Sequence, residues 1–128
     1  NQRMALYDGI LIKENHIAAA GGVTKALQAA AALDSGVPVQ IEVETIAQLE
    51  EALAAGVKSV LLDNFDLDMM VDAVRVNAGR ALLEASGGIN MDTVRAIAET
   101  GVDRISIGSL TKDVRATDYS LRITGAAA

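Results

Sequence analysis

Short apolar runs alternate along this chain with longer segments of helical periodicity. Five of the apolar runs have the length and composition of strands. The predicted strands are Leu6–Lys13, Val39–Val43, Ser59–Leu62, Ala81–Ala85 and Arg104–Ile107. Several of them are apolar at successive positions, which is typical of strands that are buried on both faces of a parallel sheet.

The segments between the strands predict helices. The predicted helices cover Val23–Leu33, Ile46–Ala55, Leu67–Asn77 and Met91–Glu99. Each of the last three follows a residue that commonly caps helices, and these residues are Thr45, Asp66 and Asn90. Gln48 lies three positions after Thr45 and completes a capping box.

The ends of the chain are less regular. Glu14–His16 is predicted to be a loop, and Gly21-Gly22 precedes the first helix. The last segment, Thr111–Ala128, predicts one short helix near Ala116–Leu121 and a frayed terminus.

A strict alternation of strands and helices predicts an α/β fold made of parallel βα units with right-handed crossovers. Five strands are too few to close an eight-stranded barrel. The sheet is therefore either an open doubly wound sheet or part of an incomplete, TIM-like α/β barrel. The pattern alone leaves both possibilities open.

Composition narrows the class of function. The chain has 128 residues, of which 51% are apolar, and this suits one globular domain. Aromatic residues make up 2% and the net charge is −6, which disfavours stacking on nucleic-acid bases and binding to anionic membranes. The chain has no cysteine, which excludes disulfides, thiolate metal sites and a cysteine nucleophile. We find neither a signal-peptide pattern nor an apolar run long enough to span a membrane, and we expect a cytoplasmic protein.

Polar or glycine residues stand where the predicted strands end. In parallel α/β folds, ligands bind beyond the carboxyl ends of the strands. Ser86-Gly87-Gly88 and Gly108-Ser109 follow two successive strands, and glycine-rich turns at such ends can surround a phosphate with backbone amides. The other strand ends carry Lys13, Glu42 and Asp63. We therefore predict an active site at this edge of the sheet.

Each candidate side chain has a functional and a structural interpretation. Lys13 can bind an anion or extend into solvent, and Arg3 can hold a carboxylate bidentately or stay solvated. His16 can act as an acid–base group or anion donor, or serve only the loop. Glu42 lies in an apolar strand, where a carboxylate is costly unless it is paired, so a site role is favoured. Asp63 can bind ribose hydroxyls or a hydrated metal ion, or it can be a turn residue.

Several common motifs are missing from the sequence. It contains no GxxxxGK[ST] loop, no GxGxxG fingerprint and no histidine-rich metal motif. These absences argue against a P-loop nucleotidase, a dinucleotide-binding protein of the common type and a zinc enzyme.

Ordered motifs give the chain a family resemblance. NQRMALYDGILIKENHI, VQIEVE, LLDNF, LEASGGI and ETGVDRISIGSLTKDVRATD follow one another along the sequence. In this order they resemble the C-terminal part of quinolinate phosphoribosyltransferase, from residue 1 to about residue 122. Each motif alone is modest, but the set in register is highly specific.

The resemblance implies a reaction and its partners. Members of the family have an N-terminal α/β sandwich domain and an incomplete α/β barrel, and they form dimers or larger oligomers. They combine quinolinate with phosphoribosyl pyrophosphate (PRPP) in the presence of Mg²⁺, giving nicotinate mononucleotide, pyrophosphate and CO₂ in NAD biosynthesis.

The resemblance also implies roles for residues of this chain. Arg3 and Lys13 would bind the carboxylates of quinolinate, and Glu42 and Asp63 would face the ribose and the Mg²⁺ of PRPP. Lys13, Glu42 and Asp63 form the expected catalytic set. The residues expected to hold the 5′-phosphate are Ser86, Gly87, Gly88, Gly108 and Ser109. His16 and Ile107 complete the expected substrate-binding residues.

Two residues depart from the family pattern, because Gln2 stands where a histidine is frequent and Ala5 where a glycine is frequent. We expect residues 1–122 to be the C-terminal part of the barrel domain and residues 123–128 to be a frayed tail. The sandwich domain and the first barrel strands would be missing, so we expect the chain to be inactive alone.

Three alternatives remain open from the sequence. The chain could be a related barrel protein of the molybdenum-transport type, which lacks this activity. It could be a non-enzymatic half-barrel that pairs its open edge with another chain. The glycine turns alone would also suit another phosphate-binding barrel enzyme.

Overall fold

The computed structural model describes residues 9–32 and 36–108. Strands and helices alternate, except that two helices follow the first strand. In chain order the elements are β1 Ile10–Ile12, α1 Glu14–Ala20, α2 Val23–Ala32, β2 Val39–Val43, α3 Ile46–Ala54, β3 Ser59–Asp63, α4 Leu67–Asn77, β4 Leu82–Ser86, α5 Val94–Glu99 and β5 Arg104–Ile105.

The five strands form one parallel sheet in the order β1-β2-β3-β4-β5. Each strand pairs with the strand that follows it in the sequence. A doubly wound sheet would reverse its strand order at a switch point, and this sheet has no reversal. The fold is therefore part of an open α/β barrel of the TIM type, which decides between the two architectures that the sequence allowed.

The hydrophobic core lies between the sheet and the helices. Alternate strand residues such as Ile41, Val43, Val60 and Leu62 are fully buried and belong to one cluster with the buried helix residues, among them Leu49. The strand positions between them lie on the opposite side of the sheet, which we call the open face. No helix in the described parts of the chain is long and apolar enough to cross a membrane.

Two of the predicted caps are confirmed by side-chain hydrogen bonds. Asp66 Oδ1 accepts from the Met69 amide at 2.8 Å, and Thr45 Oγ1 accepts from the Gln48 amide at 3.1 Å. The Gln48 side chain does return to the backbone, but it accepts from the amide of Glu44 rather than from that of Thr45. Thr45 thus caps the helix as predicted, but the return contact from Gln48 reaches the residue before the cap.

The prediction of a loop at Glu14–His16 is wrong, because these residues begin α1. His16 Nδ1 accepts a hydrogen bond from the Lys13 amide at 3.1 Å and so satisfies a donor at the start of the helix. Gly21 ends the helix with φ +86, and its amide donates to the carbonyl of Ile17 at 3.0 Å. A histidine in the position of a capping side chain is not a strong sequence signal.

Other element boundaries differ by a few residues. The helix predicted from Met91 begins at Val94, although Asn90 Oδ1 still accepts from the amides of Asp92 and Thr93 at 2.9 and 3.1 Å. The last predicted strand pairs only over Arg104–Ile105. The first pairs over Ile10–Ile12, and residues 6–8 of its predicted range lie outside the described residues, as does the predicted helix near Ala116–Leu121.

Candidate active site

The carboxyl ends of the strands meet at one edge of the sheet, because all the described pairings are parallel. We call this edge the carboxyl rim. It contains the predicted site residues Lys13, Glu42, Asp63, Ser86 and Gly108. Arg3 and Ser109, which were predicted to belong to the same site, lie outside the described residues.

The predicted residues of the carboxyl rim share the open face. Ile41 and Val43 are fully buried against the helices, so Glu42 between them points to the other side of the sheet. Asp63 follows the buried Leu62 in the same way, and it pairs in register with Ser86 of the next strand. Lys13 follows the buried Ile12 in extended conformation and continues this alternation.

Glu42 and Asp63 form an acidic pair on neighbouring strands. Burial raises the pKa of Glu42 above its ordinary value, and the charge of Asp63 and a side-chain hydrogen bond with Asp63 raise it further. The positive charge of Lys13 acts in the opposite direction. The two carboxylates repel each other when both are ionised, and a cation placed between them would relieve that repulsion.

A second acidic pair lies beside the first. A hydrogen bond with Glu14 and the charge of Glu14 raise the pKa of Glu44, and burial and Asp63 add to the effect. Glu14 lies at the start of α1, so its approach to the end of β2 follows from the helix that the sequence did not predict. The sequence signal that could have indicated this second pair is Glu44, which lies two positions after Glu42 and therefore points the same way.

Ser86–Gly88 forms a tight turn that we call the phosphate turn. Gly87 and Gly88 have φ of +88 and +65, conformations that residues with a side chain rarely adopt. Both glycines are exposed. The amide of Asn64 donates to the carbonyl of Ser86 at 3.0 Å, so the end of β3 supports this turn. Exposed backbone in such a turn is suited to anion binding.

The second predicted phosphate-binding segment begins after β5. The amide of Ser106 donates to the carbonyl of Ala85 at 2.9 Å, which holds this segment beside β4. Ile107 packs against the core and Gly108 is exposed at the end of the described chain. The two glycine segments are therefore carried by adjacent strands, as the sequence predicted.

His16 is near the carboxyl rim, but its ring already has one structural contact. Because Nδ1 accepts from the Lys13 amide, a neutral ring carries its proton on Nε2. Only Nε2 remains for a substrate. The structure thus gives His16 a helix-capping role, and its predicted role in substrate binding stays a prediction.

Two cavities in the described part of the structure lie away from these residues. A cavity of about 400 Å³ is lined by Asn77, Arg80 and Asp103 among others, and one of about 800 Å³ by Pro38, Lys58 and Leu82 among others. Neither is lined by Lys13, Glu42, Asp63 or Ser86. The candidate site is thus defined by the side chains and turns of the carboxyl rim.

Comparison with known proteins agrees with the geometry. Residues 1–122 match the family model described as "Quinolinate phosphoribosyl transferase, C-terminal domain". The chain is 40% identical over 124 residues to the nicotinate-nucleotide pyrophosphorylase (carboxylating) of Mycobacterium leprae (strain TN), and the match covers 94% of this chain and 44% of the relative. The chain therefore spans less than half the length of this relative.

Solved structures give the same result. The nicotinate-nucleotide pyrophosphorylase from Francisella tularensis superposes with a TM-score of 0.83 at 45% identity, covering 88% of this chain and 40% of that one. Thiamine phosphate pyrophosphorylase from Pyrococcus furiosus superposes with a TM-score of 0.62 at 20% identity over 78% of this chain and 48% of that one, which shows a shared fold alone.

The family match covers nearly the whole chain, and it includes every residue of the carboxyl rim. The motifs, the sequential parallel sheet and the turns at the strand ends point in the same direction. This chain belongs to the quinolinate phosphoribosyl transferase family, and it matches the C-terminal domain of that family.

Proposed function

We propose that the complete protein transfers a phosphoribosyl group from PRPP to quinolinate and releases CO₂, giving nicotinate mononucleotide and pyrophosphate. The observation that carries the proposal is the arrangement of Glu42 and Asp63 between Lys13 and the phosphate turn on one rim. The relatives that match this chain carry names for this activity.

Each part of the carboxyl rim suits one part of the two substrates. Backbone amides of the phosphate turn suit the 5′-phosphate of PRPP. Carboxylates of Glu42 and Asp63 suit ribose hydroxyls, which donate hydrogen bonds to them. Lys13 beside them suits a carboxylate of quinolinate, and Arg3 would provide a second cation for this dianionic acid.

In the proposed reaction the pyridine nitrogen of quinolinate forms a bond with C1 of the ribose. The bond from C1 to the pyrophosphate oxygen breaks, and its electron pair leaves with pyrophosphate. Positive charge develops on the ribose as this bond lengthens, and the carboxylates of Glu42 and Asp63 stabilise it. CO₂ then leaves the cationic ring, and the electron pair that remains on the ring carbon takes up a proton.

We further propose that Mg²⁺ binds together with PRPP at Glu42 and Asp63. Two adjacent carboxylates offer the oxygen ligands that Mg²⁺ prefers. The described residues contain no group of three or more side chains that could hold a metal ion, so phosphate oxygens and water would complete its ligands. Bound Mg²⁺ would neutralise charge on the departing pyrophosphate. Titration of PRPP with and without Mg²⁺ tests this site, because Glu42→Gln should reduce the difference between the two affinities.

We also propose that the complete protein is a homodimer or a larger oligomer in the cytoplasm, as the family resemblance implies. Light scattering after size-exclusion chromatography measures the oligomeric state directly. A monomer at all concentrations would contradict this part of the proposal.

The activity is tested with the complete natural protein, quinolinate, PRPP and Mg²⁺. We expect one nicotinate mononucleotide, one pyrophosphate and one CO₂ per turnover. Asp63→Asn should lower kcat/KM by roughly a hundredfold, the scale of losing one transition-state contact. Asp68→Asn is the matched control, since Asp68 is an exposed acid in the first turn of α4. The proposal is wrong if the wild-type protein forms no nicotinate mononucleotide.

A further inference from the structure

Glu84 is a buried carboxylate on the open face, and the strand register aligns it through Leu61 with Glu42. It is 2% exposed, and together with Asn77 it makes up the buried polar side chains of the described residues. Burying a carboxylate is costly unless its oxygens receive hydrogen bonds. Its position two residues before Ser86 places it on the same face of β4 as the start of the phosphate turn.

The two carboxylate oxygens of Glu84 accept hydrogen bonds from different parts of the chain, Gln40 in β2 and Ser106 just after β5. Oε2 accepts from Gln40 Nε2 at 2.9 Å, and Oε1 accepts from Ser106 Oγ. Gln40 belongs to β2 and lies two positions before Glu42. Since β3 lies between β2 and β4, the bond to Gln40 reaches over the intervening strand. Hydrogen bonds to a charged acceptor are among the strong ones.

Ser106 marks the point at which β4 and β5 stop pairing. The register of these strands joins Glu84 to Arg104 and Ala85 to Ile105, and the Ser106 amide makes a last backbone hydrogen bond to Ala85. Beyond this point the chain continues into Ile107 and Gly108. The bond from Ser106 to Glu84 thus adds a side-chain link where the backbone ladder ends.

We propose that Glu84 is a positioning residue for the phosphate site. It fixes the separation between the phosphate turn and the segment at Gly108, and through Gln40 it aligns both with the strand that carries Glu42. This proposal rests on the proposed function, because it deepens the assignment of the phosphate site to PRPP. Glu84 itself acts through Ser106 and Gln40 and not by contact with the substrate.

The side chains offer graded substitutions. Glu84→Leu replaces the carboxylate side chain with an apolar side chain of similar size and removes both hydrogen bonds. Glu84→Gln keeps the length, and both contacts can persist if either the Gln40 amide reverses or the Ser106 hydroxyl reorients to accept. Ser106→Ala removes only the link to the second glycine segment. Asn77→Ala is the matched control, because Asn77 is also buried and makes two hydrogen bonds, to the amide and the carbonyl of Ala81.

The experiment uses the complete natural protein and measures four quantities for each variant. They are the Kd for PRPP and for inorganic phosphate, the KM for quinolinate, and Tm. Glu84→Leu should weaken PRPP and phosphate binding by about tenfold, the scale of one hydrogen bond to a charged group, and leave the KM for quinolinate within about twofold. Glu84→Gln should restore most of this affinity. Asn77→Ala should lower Tm without changing the affinity for phosphate compounds.

Several outcomes would overturn the proposal. If Glu84→Leu and Asn77→Ala lose phosphate affinity in the same proportion to their loss of Tm, Glu84 has only a structural role. Equal losses for PRPP and quinolinate would do the same. If Glu84→Leu does not fold, Ser106→Ala decides, since unchanged phosphate affinity in that variant contradicts the link. A wild-type protein that binds no phosphate compound also contradicts it.

Failure of the proposed function gives a different result. In that case the wild-type protein binds PRPP or phosphate but forms no nicotinate mononucleotide. The comparison of Glu84→Leu with Glu84→Gln then still decides whether Glu84 positions the phosphate site.

Discussion

Asn64 occupies the space that a side chain at Gly87 would need. A Cβ built on Gly87 would lie 3.0 Å from the Asn64 amide nitrogen and would overlap Oδ1 of the same residue. Asn64 itself has φ +55, and its amide donates to Ser86 at 3.0 Å. The end of β3 and the phosphate turn are therefore packed backbone against backbone, and this packing joins the acidic pair to the phosphate turn.

Gly87→Ala should therefore impair both folding and phosphate binding. The positive φ alone costs about 1–3 kcal/mol, and the contact with the Asn64 backbone adds to that, because a backbone atom cannot move aside like a flexible side chain. We expect a lower Tm and a weaker Kd for PRPP, both measured on the complete natural protein.

Two glycines provide the controls for this prediction. Gly88 has φ +65 and Gly56 has φ +81, and a Cβ at either would meet nothing within 4 Å. Gly56→Ala introduces the same backbone strain before the start of β3, at the edge of the sheet opposite the carboxyl rim. It should lower Tm without changing PRPP affinity. Gly88→Ala should be milder than Gly87→Ala. Equal effects of Gly87→Ala and Gly88→Ala would show that the contact with Asn64 is unimportant.

The titration of Glu42 depends on its burial and on charged neighbours, among them Asp63 and Lys13. Asp63→Asn removes the charge and the ionic hydrogen bond that raise the pKa of Glu42, so the pKa should fall towards 4.5. Lys13→Ala removes the charge that lowers it, so the pKa should rise. Carbon-detected NMR titration of the Glu42 carboxyl measures both shifts. Shifts in the same direction would contradict the described arrangement.

The same titration predicts how stability depends on pH. The pKa of Glu42 is higher in the folded than in the unfolded state, so the folded state binds its proton more tightly. This contribution to stability is fully present below the unfolded pKa and is lost as the pH rises through the folded pKa. Urea unfolding measured from pH 4.5, the ordinary pKa of this group, towards higher pH should show that Glu42→Gln loses less stability than wild type as the pH rises.

The first turn of α2 is held by a residue of α3. Glu51 Oε1 accepts from the Thr24 amide at 3.2 Å and from Thr24 Oγ1 at 3.1 Å. Glu51→Ala should therefore lower the free energy of unfolding by about 1 kcal/mol, measured by urea denaturation, and leave kcat unchanged. Glu50→Ala, at the adjacent exposed position of α3, is the control. An equal loss of unfolding free energy in both variants would contradict the role of Glu51 in holding the first turn of α2.

Asp66 should matter more for stability than its neighbour Asp68. Asp66→Ala removes the cap of α4 and should cost about 1 kcal/mol. Asp68→Ala removes only a charge near the start of the same helix, an effect of about 0.3–1 kcal/mol. Thermal unfolding of the two variants side by side distinguishes these contributions, and a larger loss for Asp68→Ala would refute the assignment of the cap.

Local signals in the sequence predicted most of the fold. The apolar run Val39–Val43 and the cap Asp66 depend on neighbouring residues alone, and both are confirmed. The sequence could not choose between a doubly wound sheet and a barrel, since strand order is a long-range property. It also missed α1, because the capping contact from His16 is unusual.

The sequence placed the candidate residues at the strand ends, but it did not predict the contacts between them. The strand ends identified Glu42, Asp63 and the phosphate turn without any knowledge of register. The contact of Asn64 with Gly87 and the bonds of Glu84 depend on which residues of different strands face each other. Such pairings have no local pattern, so a buried glutamate within ALLEASGG carried no signal of its own.

The sequential order of the sheet has a consequence for synthesis on the ribosome. Within the described residues, each of β2 to β5 pairs with the strand made immediately before it, so none of these four has to wait for a later segment to find its neighbour. The acidic pair is completed when β3 joins β2, and the phosphate turn is added only after β4 has emerged. A nascent chain arrested between these strands would already carry the carboxylates of the site while lacking its anion-binding turn.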